Sequence, residues 1–87
     1  MKKFDIYTKP GCPFCERAKD LLKERGHQYN EHQLSISLTK GDVQKRLDLL
    51  GESVQVQTVP QIFLINDGVK DTYIGGYTEL RRKIDSI

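Results

Sequence analysis

Cys12 and Cys15, the two cysteines of the chain, stand two residues apart within Tyr7-Thr8-Lys9-Pro10-Gly11-Cys12-Pro13-Phe14-Cys15. Before them runs Phe4-Asp5-Ile6-Tyr7, which alternates apolar and polar as a half-buried strand does. After them, from Glu16 to Arg25, runs a segment with helical periodicity. A Cys-x-x-Cys between strand and helix sets a thiol against the open N–H groups of a helix start, where a thiolate is favoured. As a structural staple the pair is poor, because a disulfide stabilises by closing a long loop and this loop is very short. The pattern therefore points to thiol chemistry rather than to a stabilising bridge.

Eighty-seven residues make one domain, spanning 1–87. No apolar run approaches the ~18 residues of a membrane span. The leading Lys2-Lys3 meets Asp5 before any apolar stretch forms, unlike a signal peptide, so the expected compartment is the reducing cytoplasm. The net charge of +2 suits a small anionic ligand, and no basic stripe with interleaved aromatics indicates nucleic acid. Arg81-Arg82-Lys83 is the single basic triplet and reads as a solvated helix face.

The first helix is expected to begin near Cys12, with Pro13 at its first position and Gly26 as its stop. Phe14, Ala18, Leu21 and Leu22 form its expected core stripe, with Cys15 on the buried side. His27–Leu34 reads as a weak strand. Thr39 or a neighbour is the expected cap of a second helix that carries Asp42 in its first turn and Val43, Leu47 and Leu50 as its apolar face. Val59–Ile65 reads as a central strand. Asn66-Asp67-Gly68 turns the chain into a hairpin partner over Val69–Ile74. Thr78 is the expected cap of a last helix whose Leu80, Ile84 and Ile87 face the core. The order βαβ-α-ββα implies an α/β fold with a mixed sheet.

A free thiol has a pKa near ~8.5, and Cys-x-x-Cys sites lower it to roughly 3.5–7.5. Cys12, at the helix start, is the expected nucleophile, with Lys9 adding positive charge nearby. Cys15, one turn in, is the expected resolving thiol. A competing arrangement is Cys12, Cys15, His27 and His32, spaced C-x2-C-x11-H-x4-H, close to a zinc finger. Its context is wrong, because finger histidines lie on a helix, whereas Gly26 and the β-like region around Tyr29 argue for a strand. No metal site is expected.

Three motifs resemble the glutaredoxin family: Tyr7 to Cys15 its dithiol active site, Thr58-Val59-Pro60 its Thr-Val-Pro, and Gly75-Gly76-Tyr77-Thr78 its Gly-Gly turn. They occur in the family's order, and the strand and helix order matches over the whole chain. The Gly51–Thr58 connection is longer than in many cellular members and is similar to some bacteriophage ones. The resemblance implies a thioredoxin-like fold with a four-stranded mixed sheet and three helices. It implies a thiol–disulfide oxidoreductase with no tightly bound cofactor, taking glutathione as co-substrate. Its partners would be disulfide-containing or glutathionylated proteins, ribonucleotide reductase among the candidates, with no nucleic acid and no membrane, and the protein would be a monomer. It further implies a cis Val59-Pro60 bond and glutathione contacts from Lys9, Phe14, Thr58, Val59, Pro60, Gly76, Tyr77, Thr78 and Glu79. Gln44 or Arg46 of the second helix would join Lys9 at the glycine carboxylate. Glu79 departs from the family's Asp at that point, and it reads equally as a ligand to the glutathione ammonium or as a first-turn acid on the helix dipole. Two further readings of the same fold are an iron–sulfur carrier bound through Cys12 and glutathione, and a thioredoxin-like hydrogen donor for one dedicated partner.

Overall fold

The computed structural model describes residues 2–87. The chain runs β1 (Lys3–Thr8), α1 (Pro13–Glu24), β2 (Gln28–Gln33), α2 (Lys40–Leu49), β3 (Gln61–Ile65), β4 (Thr72–Gly75) and α3 (Tyr77–Lys83), ending in a 3-10 turn over Ile84–Ser86. Four strands form one sheet in the order β2-β1-β3-β4. β1 and β2 pair in parallel, with Phe4 opposite Tyr29, through the crossover helix α1. β1–β3 and β3–β4 are antiparallel. This is the expected thioredoxin-like α/β fold, a four-stranded mixed sheet with three helices.

The sheet is packed on both faces. Phe4 and Ile6 of β1 and Ile62 and Leu64 of β3 meet Ala18 and Leu22 of α1 and Leu80 of α3 on one face. Phe63 of β3 points the other way and meets Val43 and Leu47 of α2. Period-two alternation in β1 thus divides its side chains between an apolar layer and the α2 side, where Asp5 and Tyr7 lie. Among the described residues no helix is long and apolar enough to cross a membrane.

Several elements differ from the sequence expectation, each for a local reason. Phe14 is 52% exposed rather than in the core. The buried stripe of α1 is Cys15, Ala18 and Leu22, one residue out of phase with Phe14, and Leu21 is half-buried. β3 begins at Gln61, directly after Pro60, which has no N–H to give a ladder. β4 begins only at Thr72, because side chains take over the preceding loop. Asn66 donates to the Lys70 carbonyl, and Asp71 accepts from the Asn66 N–H, leaving Val69 exposed. The cap of α3 is Gly76, not Thr78. Glu79 reaches back to accept from the Gly76 N–H at 2.7 Å, satisfying a donor that the helix leaves open. Thr39 does cap α2, its N–H donating to the Asp42 carboxylate at 2.8 Å.

Candidate functional site

Cys12 is the N-cap of α1, and Pro13 follows at the first helical position. Its extended backbone (φ −103°, ψ 104°) lets its sulfur turn back over the helix start, where the Cys15 N–H donates to it at 3.2 Å. This is the cap interaction a Ser or Asp oxygen makes elsewhere, here made to sulfur. Cys12 and Cys15 are joined as a disulfide, with Cα atoms 5.2 Å apart. The two sulfurs are not equivalent. Cys12 is partly exposed, whereas Cys15 is 1% exposed beneath it.

The loop before Cys12 is anchored from below. Thr8, the last residue of β1, is buried and donates from its hydroxyl to Glu31 of β2 at 2.7 Å. Lys19 of α1 reaches the same carboxylate at 3.1 Å. The Thr8 hydrogen bond holds the Glu31 carboxyl below its ordinary value; burial opposes this and Lys19 adds to it. One carboxylate thus ties together the end of β1, β2 and the second turn of α1.

Beside the disulfide lies a cavity of about 260 Å³ lined by Phe14, Thr58, Val59, Pro60, Gly76, Tyr77, Thr78 and Glu79. Three separate stretches, from the ends of α1, β3 and α3, meet there. The Val59-Pro60 bond is cis, as expected, and the Val59 carbonyl oxygen lies 3.7 Å from the Cys12 sulfur. Phe14 forms the outer wall, its ring 6.0 Å from that of Tyr77, with the Arg17 guanidinium 5.2 Å from its centroid. At the opposite wall, Gly76 brings its backbone close to the cis proline: a Cβ there would lie 3.5 Å from the Pro60 carbonyl.

Lys9 lies exposed in the loop before Cys12, outside the cavity lining. Gln44 and Arg46 are both committed elsewhere. Gln44 donates to the Val54 carbonyl at 2.8 Å and accepts from the Val56 N–H at 2.9 Å, pinning the long connection after α2. Arg46 points to the α2 face of the sheet, where it pairs with Asp5 and Asp71, each at 2.8 Å, and stacks 4.3 Å from the Phe63 centroid. Lys40, at the start of α2, places its ammonium 3.4 Å from the Gln57 carbonyl, one residue before Thr58 of the cavity lining. His27 accepts from the Lys2 N–H and His32 pairs with Asp5 at 2.9 Å, so the zinc-finger spacing does not become a cluster. Among the described residues no group of three or more His, Cys, Asp or Glu side chains gathers as metal ligands would.

The sequence reading passed over Gln61. It is 5% exposed in the most apolar strand, bonded to the Thr58 carbonyl and the Tyr73 hydroxyl. A polar residue directly after the Thr-Val-Pro stretch, followed by four apolar ones, was the available signal.

A disulfide capping a helix, on a four-stranded mixed sheet and beside a cis proline, defines a thiol–disulfide oxidoreductase of thioredoxin-like fold. Comparison with known proteins narrows the class. A glutaredoxin family profile matches residues 5–69. Glutaredoxin 1 of Escherichia coli is 35% identical over 80 residues, covering 85% of this chain and 82% of that protein. The crystal structure of glutaredoxin 1 from Francisella tularensis, complexed with cacodylate, superposes with a TM-score of 0.76 at 31% identity, covering 99% of this chain and 95% of that one. A buckwheat glutaredoxin–glutathione complex shares the fold, with a TM-score of 0.66 at 22% identity over 95% of this chain and 68% of that one. The chain belongs to the glutaredoxin family, and it is a thiol–disulfide oxidoreductase that works through the Cys12/Cys15 dithiol.

Proposed function

We propose that the cavity beside Cys12 seats glutathione, and that the protein reduces glutathione mixed disulfides and protein disulfides at the expense of glutathione. The observation that carries this reading is the Val59 backbone, whose carbonyl lies 3.7 Å from the Cys12 sulfur in the wall of the cavity. An extended peptide can add to such a backbone as a further strand, with its cysteine sulfur held against Cys12. The charged ends of glutathione fit the two ends of the cavity. Lys9 and Lys40 supply cations for the glycine carboxylate beyond Thr58. At the other end the Thr78 hydroxyl faces the γ-glutamyl carboxylate, and the Glu79 carboxylate faces its ammonium. Phe14, Pro60, Gly76 and Tyr77 form the walls between them. Glutathione is also the ligand of the buckwheat protein of the same fold.

The two cysteines divide the work. The Cys12 thiolate attacks a disulfide sulfur, forming a Cys12–substrate mixed disulfide and expelling the other sulfur as a thiolate. The Cys15 thiolate then attacks the Cys12 sulfur, closing the intramolecular disulfide and releasing the second substrate thiol. Two glutathiones reopen that disulfide and leave as oxidised glutathione. When the mixed disulfide is with glutathione, one further glutathione thiolate resolves it and Cys15 is not needed. Partial exposure of Cys12, the Cys15 N–H on its sulfur and the burial of Cys15 support this order. The protein acts in the reducing cytoplasm as a monomer, and protein disulfides such as that of a ribonucleotide reductase are its larger substrates.

Cys12→Ser is expected to abolish both reactions. Cys15→Ser is expected to keep reduction of a glutathione mixed disulfide within a few-fold of wild type while losing most protein-disulfide reduction. A glutathione-coupled assay on each substrate reads this directly, and equal loss of both in Cys15→Ser would refute the division.

A further inference from the structure

Gln61 is the one polar residue of β3, an otherwise apolar strand. Its side chain is buried between a strand and the cavity wall, 5% exposed, and of the described residues only Thr8 and Gln61 are polar and buried. A buried amide is unfavourable unless both of its ends are satisfied. Here both are. Its Nε2 donates to the Thr58 carbonyl at 2.8 Å, and its Oε1 accepts from the Tyr73 hydroxyl at 2.6 Å. The amide cannot be turned over, because its oxygen would then face the Thr58 carbonyl with no proton between them. The Tyr73 ring is held in turn by Phe63, 5.3 Å between centroids.

These contacts form a brace from β4, through β3, to the backbone that lines the cavity. Thr58 opens the Thr58-Val59-Pro60 stretch, and its residues face open cavity on one side. On the other side the Gln61 amide holds the Thr58 carbonyl. We propose that Gln61 is a positioning residue: by fixing the Thr58 carbonyl it sets where the Val59 backbone stands relative to the Cys12 sulfur, and so favours peptide-like disulfides over small ones that do not use that backbone. Tyr73 orients Gln61 and acts through it. The inference rests on the peptide-binding role assigned to Val59 above.

The test compares two substrates in single turnover with stoichiometric reduced protein. One is a peptide carrying glutathione on its cysteine. The other is hydroxyethyl disulfide, which offers no peptide backbone. Wild type is expected to favour the glutathionylated peptide. Gln61→Leu is expected to lower the ratio of the two rate constants roughly tenfold, the scale of one well-placed hydrogen bond. Gln61→Glu, which keeps the size and whose ionised carboxylate has no proton to donate to the Thr58 carbonyl, is expected to lower it as much at a pH where it is ionised. Tyr73→Phe removes a single oxygen and is expected to lower it a few-fold; it decides the matter if the Gln61 variants do not fold. Alkylation of Cys12 by iodoacetamide distinguishes a displaced backbone from a disturbed thiol, and its rate is expected to stay within twofold. If both substrates slow in parallel, or the ratio is kept in Gln61→Leu and Tyr73→Phe, the proposal is overturned while the glutathione reading stands. If wild type shows no preference, the glutathione reading fails and the role of Gln61 falls with it.

Discussion

At Gly75 the backbone takes a φ of +119°, in a region that L side chains rarely adopt. Space is short as well: a Cβ there would come within 2.9 Å of the Glu79 Cγ and 3.0 Å of its Oε1. Glu79 cannot move aside freely, because its carboxylate accepts from the Gly76 N–H at 2.7 Å. Gly75→Ala is therefore expected to destabilise the protein by about 2–3 kcal/mol through backbone strain and loss of that cap. Gly76→Ala is the comparison. Its φ is −96°, which any residue adopts, and its Cβ would stand 3.3 Å from the Glu79 Oε1. A smaller loss is expected there, and urea unfolding midpoints that rank the two variants the other way round would sink this account. The Gly-Gly pair was legible in the sequence as a breaker, but not which glycine was indispensable, because that depends on where a residue four positions on folds back. Phe14 shows the same limit. Its helical spacing to Ala18, Leu21 and Leu22 suggested a core stripe, yet a shift of one residue in helix phase turns a side chain by about 100° and carries it to the surface.

Helix α2 is held differently from the helices on the other face. Its core contribution is narrow, Val43 and Leu47 against Phe63, and the half-buried Leu50 and Val56 pack at its margin. The connection that follows would cross the surface without regular structure, but Gln44 binds it at both the Val54 carbonyl and the Val56 N–H. Gln44→Ala is expected to leave α2 formed, since Val43 and Leu47 stay buried, and to lower stability by about 1–2 kcal/mol for the two lost bonds. The larger effect is local. A broad-specificity protease is expected to cut between Gly51 and Thr58 about tenfold faster, because that segment opens without global unfolding. Mass spectrometry of the first fragments locates the cut, and first cleavage in another loop would contradict the role given to Gln44. Strands and helices with a clear apolar period were readable in order and type, because period two and period 3.6 are local properties. The partners of Gln44 were not readable, since Val54 and Val56 lie ten and twelve positions further on, outside any local period.

Across the whole molecule, Asp5 joins three elements, β1, β2 and α2. From β1 it accepts from His32 at 2.9 Å and Asn30 at 3.2 Å on β2, and from Arg46 at 2.8 Å on α2. Arg46 continues to Asp71 in the loop before β4. Burial works against the Asp5 charge, but the hydrogen bonds from His32, Arg46 and Asn30 outweigh it and hold the carboxyl below its ordinary value. Glu31 is lowered as well, chiefly by the Thr8 hydroxyl. A carboxylate whose folded pKa lies below its unfolded one, near ~4, adds stability that is complete above the unfolded value. That stability is lost as pH falls through the folded value. Unfolding midpoints are thus expected to keep the full contribution of these two groups unchanged between pH 7 and 5, and to fall as both take up protons below about pH 4. Asp5→Asn isolates one share. At pH 7 it should destabilise by about 2–3 kcal/mol, less than the loss of a fully buried pair, because Arg46 keeps Asp71 and its side chain is 22% exposed. As the pH falls below the unfolded value toward the lowered folded one, the stability that the Asp5 charge adds is lost, so the gap between the two proteins should narrow, while Glu31 continues to give both a shared acid slope. Urea titrations at pH 3, 5 and 7 measure the gap directly. A gap that stays constant across the three would mean that the Asp5 charge, and with it the link from β1 to α2, adds nothing to the fold.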